Sequence, residues 1–229
     1  MKSKIDYILL ILNCYKYSDK RLKQKNDWIN YLPKHIKYYH IIGDKAKCCN
    51  KDYLIDDNEN IIYVNTDDDY NHLPEKIITA FQCIYENYIF KYIFKTDDDQ
   101  KLINSSFFIN FTNKLNKELK LFNSYSYNFM NTNNYIMYHY GGNKIKCNKH
   151  ICNYYNKHPE LNKDIVLKET DYCNGRFYFL SKVAVNYLIK NKDSIKKDII
   201  EDHSIGYHLH RDLKKNIFNF NTNKIFVDY

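Results

Sequence analysis

The sequence alternates short apolar runs with longer segments of helical period, and this alternation limits the folds that the chain can adopt. The runs have the length and composition of buried strands and occupy residues 5–12, 36–42, 61–65, 89–95 and 175–180. Strands that alternate with helices predict an α/β fold, in which helices flank a mostly parallel central sheet. The sequence contains no internal repeat and no linker, so residues 1–229 are predicted to form one domain.

Four helices are predicted from their N-terminal residues and their apolar faces. One precedes the fourth strand, with Pro74 and Glu75 in its first turn. The others begin after Asn104 and Ser105, at the N-cap Ser181, and near the pair Glu201 and Asp202. The residues predicted to face the core are Ile77, Ile78, Phe81, Ile84, Tyr85 and Tyr88, then Phe108, Phe111, Leu115 and Leu119, then Ala184, Val185 and Leu188, and finally Ile205, Leu209 and Leu213.

Residues 123–170 differ from the rest because they are polar, rich in Asn and only weakly periodic. They are predicted to form long loops with short elements, and Gly141 and Gly142 are predicted to form a turn. A zinc site is an alternative for this segment, although its spacing matches no common zinc motif. The candidate ligands of that site are Cys147, His150, Cys152 and His158.

The net charge of +8 would suit a polyanionic partner, but the arrangement of the lysines argues against one. They are scattered along the chain, and Tyr, Asn, Lys and Ile are abundant together. These residue types share AT-rich codons, so the charge is attributed to base composition, such as that of a large DNA virus or a protozoan. We therefore expect no nucleic-acid partner.

The cysteines and the first apolar run predict a soluble, cytoplasmic protein. The seven cysteines are odd in number and include no CxxC pair, which favours reduced thiols. The first apolar run, residues 5–12, is too short to cross a bilayer. It is predicted to be a core strand rather than a signal peptide or a membrane anchor.

Two triplets of aspartate follow predicted strands: the first triplet at residues 67–69 and the second triplet at residues 97–99. The second triplet follows the most apolar run, and open α/β sheets bind ligands at the carboxyl ends of their strands. Three adjacent carboxylates repel one another unless a cation neutralises them. We predict a divalent metal site at the second triplet and a turn that precedes a helix at the first.

A second acidic site is predicted where Glu201 and Asp202 follow an apolar pair at a helix start. A carboxylate in this position can act as a general base, although acidic residues also favour a helix N-terminus for electrostatic reasons. From these residues alone the reaction stays open. A metal-dependent nuclease or phosphatase would use the same carboxylates.

Six segments, taken in chain order, resemble motifs of one known family. The first is R-x-x-x-R-x-x-W, which is matched by Arg21, Lys25 and Trp28, and the second is a strand that ends F-L-L-G, which is matched by residues 39–43. The next two are D-x-Y-x-N-L-x-x-K at residues 69–76 and K-x-D-D-D-x-F-V-N at residues 94–104. The last two are C-S-G-G-G-Y-V-L-S at residues 173–181 and E-D-V-x-V-G at residues 201–206. The family is the fringe and beta-1,3-galactosyltransferase / beta-1,3-N-acetylglucosaminyltransferase family of inverting glycosyltransferases. The resemblance implies a GT-A nucleotide-sugar-binding fold, and the base composition favours a member from a large DNA virus.

The resemblance also implies an activity and roles for particular residues. The enzyme would transfer a hexose or N-acetylhexosamine from a UDP-sugar to a glycan or glycoprotein acceptor, with Mn²⁺ or Mg²⁺ as cofactor. Asp99 would bind the metal directly, Asp97 would bind it directly or through the metal's water shell, and Asp98 would face the ribose or the sugar. Asp202 would act as the general base on the acceptor hydroxyl.

The resemblance assigns Arg21 and Lys25 to the nucleotide, and Gly175, Arg176 and Glu201 to the acceptor side. Arg176 and the adjacent Phe177 replace two family glycines, which predicts a reshaped acceptor pocket. The family's downstream metal-binding histidine has only two candidates here, His208 and His210. A non-catalytic UDP-sugar-binding module of the same fold is therefore an alternative to the enzyme.

Overall fold

A computed structural model of the chain describes residues 2–126, 138–152 and 164–229, the first range with side chains as far as residue 118. The strands are β1 (Ser3–Lys4), β2 (Tyr7–Leu12), β3 (Ile36–Gly43), β4 (Tyr53–Asp56), β5 (Ile61–Val64), β6 (Tyr88–Ile89), β7 (Tyr92–Asp97), β8 (Gln100–Leu102), β9 (Tyr140–Cys147), β10 (His150–Cys152), β11 (Ile165–Leu167), β12 (Thr170–Ser181), β13 (Phe218–Asn219) and β14 (Phe226–Asp228). The helices are α1 (Ser18–Asp27), α2 (Lys45–Cys48), α3 (Leu73–Asn87), α4 (Phe107–Ser126), α5 (Lys182–Lys190), α6 (Lys192–Ile195), α7 (Glu201–His208) and α8 (Arg211–Lys214).

Eight of these strands form a mixed sheet in the order β13-β9-β12-β7-β2-β3-β5-β4. The central strands β7, β2, β3 and β5 are parallel, whereas β12 runs antiparallel to β7 and to β9. The chain leaves β2 through α1 toward β3 and later returns through α3 to β7, on the other side of β2. The strand order therefore reverses between β2 and β7, and sheets of this kind bind ligands at such a switch point.

The central strand β2 shows how the sheet is buried on both faces. Each of its six residues is buried, and alternate residues point to opposite faces of the sheet. Ile8, Leu10 and Leu12 belong to an apolar cluster with residues of α3 and α5. Tyr7, Leu9 and Ile11 belong to a second cluster, which includes Trp28 and the α4 residues Phe108 and Phe111. The predicted α/β fold with flanking helices is thus confirmed.

Several predicted elements are confirmed at the level of single residues. Pro74 and Glu75 lie in the first turn of α3. The hydroxyl of Ser181 accepts a hydrogen bond from the backbone N–H of Ala184 and caps α5. Among the described residues, no helix combines the length and the apolar character that are needed to cross a bilayer.

Other boundaries were predicted wrongly. The run at residues 89–95 is divided between β6 and β7, so the strand itself extends to Asp97. The last predicted helix ends at His208, and Leu213 belongs to the separate helix α8. Gly141 and Gly142 lie within the eight-residue strand β9, opposite Phe179 and Tyr178 of β12, and do not form a turn. The predictions for the Leu119 side chain and for residues 127–137 and 153–163 fall outside the described residues.

Candidate active site

The second triplet begins at the carboxyl end of β7, beside the switch point. Asp97 is the last residue of β7 and pairs in register with Leu12 of β2. Backbone contacts hold the triplet from two sides, because Gln24 Nε2 of α1 donates to the Asp97 carbonyl (2.9 Å) and Tyr229 N donates to the Asp99 carbonyl (3.0 Å). The packing of α1 and of the C-terminal residues therefore fixes where the carboxylates lie.

Three residues at intervals of four, two on α1 and one at its C-cap, contact the second triplet or the adjacent Gln100. Lys20 Nζ lies 3.4 Å from Asp98 Oδ1. Gln24 Nε2 donates to the Gln100 carbonyl (3.0 Å), and Trp28 Nε1 donates to the same oxygen (3.1 Å). No motif in the sequence identifies Lys20 and Gln24, although their spacing from the motif residue Trp28 places them on one helical face.

The predicted nucleotide ligands Arg21 and Lys25 lie on an adjacent face of α1. Arg21 is half-buried and Lys25 is exposed. Both are close to His40 of β3, whose pKa falls to about 3 because of its burial and because of these two positive charges. The structure thus places this basic pair near His40 of β3 and leaves the direct contact with Asp98 to Lys20.

Lys95 joins the second triplet to the predicted catalytic helix α7. Its side chain is only 1% exposed, and Nζ lies 2.7 Å from Asp97 Oδ1 and 2.8 Å from Glu201 Oε2. Nζ also donates to the Gly175 carbonyl (3.1 Å). Burial acts to lower the pKa of Lys95, but the charges of Asp97 and Glu201 outweigh it and raise that pKa. A buried ammonium ion therefore bridges residues that are far apart in the sequence.

Asp202 lies in the first turn of α7 with both carboxylate oxygens held by backbone N–H groups. Oδ2 accepts from Gly175 N (2.8 Å), and Oδ1 accepts from His203 N (2.8 Å). Burial raises the pKa of Asp202, while Lys95 and these N–H groups oppose the rise. The carboxylate is thus fixed in orientation and more basic than an exposed aspartate, which suits a general base.

Two glycines allow this arrangement. At Gly206, a Cβ atom would lie 2.2 Å from the Cβ of Tyr172, so only glycine lets α7 pack this closely against β12. Gly175 lies in the irregular part of β12, where pairing with β9 shifts between Cys173 and Tyr178. A Cβ atom at Gly175 would lie 3.2 Å from Asp97 Oδ2 and 3.6 Å from Asp202 Oδ2, so this residue occupies the space between the two acidic sites.

Negative charge exceeds positive charge in this cluster. Among the described residues, two ammonium groups, those of Lys20 and Lys95, interact electrostatically with five carboxylates. The carboxylates are those of Asp97, Asp98, Asp99, Glu201 and Asp202. Burial, together with the neighbouring carboxylates, raises the pKa of Asp97 to about 6 and that of Asp98 to about 6. Oxygen donors with excess negative charge fit a hard divalent cation such as Mg²⁺ or Mn²⁺.

This donor set is not a complete cage of protein ligands. Within the ranges that the structure describes, no three His, Cys, Asp or Glu side chains are arranged to hold a metal ion. One or two carboxylates together with the phosphates of a substrate are sufficient for Mg²⁺-type coordination. The residues therefore fit a cation that takes its remaining ligands from a bound substrate or from water.

Arg176 and the adjacent Phe177 contact the C-terminal strand β14. The Arg176 guanidinium donates from Nη1 to the Phe226 carbonyl (2.9 Å) and from Nη2 to Asp228 Oδ1 (2.8 Å). The Phe177 ring is buried and stacks on Phe226, with ring centroids 5.4 Å apart. Both side chains that replace family glycines thus support the C-terminal strand β14.

The histidine candidates have partners outside the second triplet. His208 Nε2 lies 2.8 Å from Asp198 Oδ2, and His210 Nδ1 lies 3.4 Å from Asp212 Oδ2. In the zinc candidate, Cys147 Sγ lies 3.7 Å from His150 Nδ1, and the fourth predicted ligand, His158, falls outside the described residues.

A protein-family model described as Galactosyltransferase matches residues 20–217. The matched region begins in α1 and includes the second triplet, Lys95, Gly175 and Asp202. No curated protein sequence matches the chain.

Proposed function

The chain belongs to the galactosyltransferase family, and from that premise we propose an inverting glycosyltransferase. It moves a hexose or N-acetylhexosamine from a UDP-sugar to a hydroxyl group of a glycan or glycoprotein. The observation that carries the proposal is the Lys95 bridge, which joins Asp97 at the end of β7 to Glu201 at the start of α7. A donor-side acidic cluster and a candidate base are thereby held at one edge of the sheet.

In this proposal the sheet is a GT-A nucleotide-sugar-binding fold, and the donor lies at the switch point between β2 and β7. The position of the second triplet at this point supports the assignment. Arg21 and Lys25 are proposed to contact the nucleotide. Asp98, which is close to Lys20, is proposed to face the ribose or the sugar.

Asp99 and Asp97 are the proposed ligands for Mn²⁺ or Mg²⁺. When bound, the cation neutralises the charge that develops on the diphosphate as UDP departs. Only Oδ1 of Asp97 contacts Lys95 in the bridge, while Oδ2 faces Gly175 and the space beside Asp202. The ammonium group of Lys95 therefore orients Asp97 without using both of its oxygens.

Asp202 is the proposed general base. It takes the proton of the acceptor hydroxyl while that oxygen forms a bond to the anomeric carbon, and the bond from that carbon to UDP breaks on the opposite face. The N–H groups of Gly175 and His203 hold its carboxylate in place. Glu201 is bonded to Lys95 and to the Tyr178 hydroxyl, so it orients the start of α7 on the proposed acceptor side.

The test is to measure UDP release from a panel of UDP-sugars with Mn²⁺ and a panel of glycan acceptors. Wild-type protein is compared with Asp99→Ala and Asp202→Asn, and calorimetry measures UDP binding in the presence of Mn²⁺. Transfer by the wild type that is lost in both variants supports the proposal. The absence of UDP binding with metal present would reject it. Donor binding without turnover would indicate a binding module, and hydrolysis of phosphate esters without a sugar acceptor would indicate a phosphohydrolase.

A further inference from the structure

A chain of hydrogen bonds runs from β12 through the C-terminal strand to the second triplet. Arg176 Nη2 donates to Asp228 Oδ1 (2.8 Å), and Gln100 Nε2 donates to the same oxygen (2.8 Å). Gln100 Nε2 also donates to Asp99 Oδ1 (2.7 Å). Asp99 Oδ2 takes no part in this chain of bonds. One oxygen of Asp99 is thus held by the protein, and its position is coupled to residues at the C-terminus.

Gln100 is a rigid link in this chain of bonds. Its side chain is buried, with only 4% of the residue exposed, and its carbonyl accepts hydrogen bonds from Gln24 and Trp28. Two carboxylate oxygens can be satisfied only by a donor, so the amide must direct its NH₂ group toward Asp99 and Asp228. Gln100 Oε1 is buried and has no hydrogen-bond partner among the described residues. Leaving this oxygen unpaired costs free energy, and the amide keeps the orientation because its NH₂ group donates to both acidic neighbours.

The strand β14 that carries Asp228 is attached independently of this chain of bonds. Phe226 is fully buried and packs against the rings of Trp28, Phe108 and Phe177. β14 pairs antiparallel with β8, which places Asp228 opposite Gln100. The aromatic contacts anchor the strand, so the Asp228 side chain is not needed for that purpose. Its 66% exposed carboxylate is directed to Arg176 and Gln100 instead.

We infer that Asp228 and Arg176 are positioning residues for the proposed cation ligand Asp99, which they orient through Gln100. The inference rests on the proposed function, because it assigns these residues to the donor and metal side of that site. Arg176 would thus serve the donor side instead of the acceptor side suggested by the resemblance. Partners that hydrogen-bond to a metal ligand fix its orientation, and their loss typically weakens metal binding by about 10- to 100-fold.

The test compares Asp228→Ala with Asp228→Asn and with a control, Asp212→Ala. Asn keeps the Oδ1 acceptor for both donors, whereas Ala removes it. Asp212 is a surface aspartate of similar exposure (71%) that neighbours Arg211 and His210 on α8. Calorimetry measures the affinity for Mn²⁺·UDP, turnover assays measure the half-activating Mn²⁺ concentration and the acceptor KM, and thermal melting checks the fold. A Gln100→Leu variant removes the middle link.

Asp228→Ala and Gln100→Leu are expected to weaken Mn²⁺·UDP binding by about 10-fold and to raise the half-activating Mn²⁺ concentration in parallel. The acceptor KM should keep its wild-type value, Asp228→Asn should recover most of the affinity, and Asp212→Ala should match the wild type.

If Asp99→Ala abolishes Mn²⁺·UDP binding but Asp228→Ala binds as the wild type does, the inference fails and the proposed function stands. If Asp99→Ala itself binds Mn²⁺·UDP normally, the proposed metal site fails. An equal loss in Asp228→Asn and Asp228→Ala would also overturn the positioning role.

Discussion

The two aspartate triplets have the same sequence and both follow strands of one sheet, yet their carboxylates have different partners in the protein. In the first triplet, protein groups satisfy each carboxylate. Asp67 pairs with Lys45 (2.8 Å), and Asp69 caps the turn at His72. Asp68 accepts hydrogen bonds from Gly43 N (2.9 Å), Tyr15 N (2.7 Å) and the buried Lys76 (2.6 Å).

In the second triplet, the carboxylates outnumber the groups that could neutralise them. The buried Lys95 is shared between Asp97 and Glu201, and Lys20 approaches Asp98 only to 3.4 Å. Burial and mutual repulsion raise the pKa of Asp97 to about 6. The supply of positive charge and donors, and not the acidic sequence, therefore distinguishes the first triplet from the second triplet, which is the proposed cation site.

The strongest test of this comparison substitutes the third aspartate of each triplet. Asp99→Ala is expected to lower the rate of UDP release by about 10³-fold, because a metal ligand is lost and the leaving group is no longer neutralised. Asp69→Ala is the matched control. It loses a cap, which costs about 1 kcal/mol of stability, and should transfer sugar at the wild-type rate.

The readout is UDP release at saturating donor, together with the unfolding free energy from urea titration. Equal effects of the two substitutions on transfer would break the comparison, because the two triplets would then be functionally equivalent.

The second test concerns the buried lysine of each triplet. Lys95→Met leaves Asp97 and Glu201 without a counter-ion and should cost about 3–5 kcal/mol of unfolding free energy near neutral pH. Lys76→Met should cost less, because Asp68 keeps the backbone N–H groups of Gly43 and Tyr15 as donors.

The pH dependence sharpens this difference. Burial raises the pKa of Glu201, and it raises that of Asp97 to about 6, even with Lys95 in place. Without Lys95 these groups bind more protons in the folded than in the unfolded protein. The unfolding free energy of Lys95→Met should therefore rise as the pH falls from about 7 to about 5. Urea titrations across this range provide the measurement, and a deficit relative to the wild type that is constant with pH would contradict the expectation.

The sequence predicts the second triplet and Asp202 better than it predicts Lys95 and Gly175, which lie between them. The apolar run before the second triplet and the helix start at Asp202 are local patterns, so both could be found without coordinates. Lys95 lies in the segment that resembles K-x-D-D-D-x-F-V-N, but no local pattern identifies its partner Glu201, which is 106 residues away. Only the antiparallel insertion of β12 beside β7 brings Gly175 between the two acidic sites.

The same limit explains the prediction that failed for residues 140–147. The strand β9 contains Gly141 and Gly142, and polar and apolar residues alternate only in its last four positions, residues 144–147. Its place in the sheet comes from pairing with β12 and β13, which no local pattern encodes. Long-range contacts, rather than propensity, decide such segments.

The third test concerns the base that lies next to the second triplet. Asp202→Asn should lower transfer by about 10²-fold or more while Mn²⁺·UDP binding is unchanged, because the variant keeps the shape but cannot accept the proton. Burial raises the pKa of Asp202, and the base works only when ionised. The acid limb of the wild-type kcat/KM profile should therefore lie above about pH 4, where an ordinary aspartate titrates. An acid limb that persists unchanged in Asp202→Asn would assign it to another group.

The smallest expected effect concerns the lysines that pair with the two triplets near the surface, the partly buried Lys20 and the exposed Lys45. Although partial burial acts to lower it, the charges of Asp98 and Asp99 raise the pKa of Lys20, so its ammonium group stays charged. This positive charge, 3.4 Å from Asp98 Oδ1, opposes a cation at the second triplet. Lys20→Ala should therefore lower the half-activating Mn²⁺ concentration by about 3-fold, which is the scale of a partly exposed ion pair.

Lys45→Ala is the matched control, because Lys45 makes the corresponding contact with Asp67 in the first triplet. It should leave the Mn²⁺ requirement unchanged. The effect of Lys20→Ala should also shrink at high ionic strength, since salt screens exposed charges more than buried ones. If both variants shift the Mn²⁺ requirement equally, the cation responds to the overall charge of the protein. The local balance of charge at the second triplet would then not be what distinguishes it from the first.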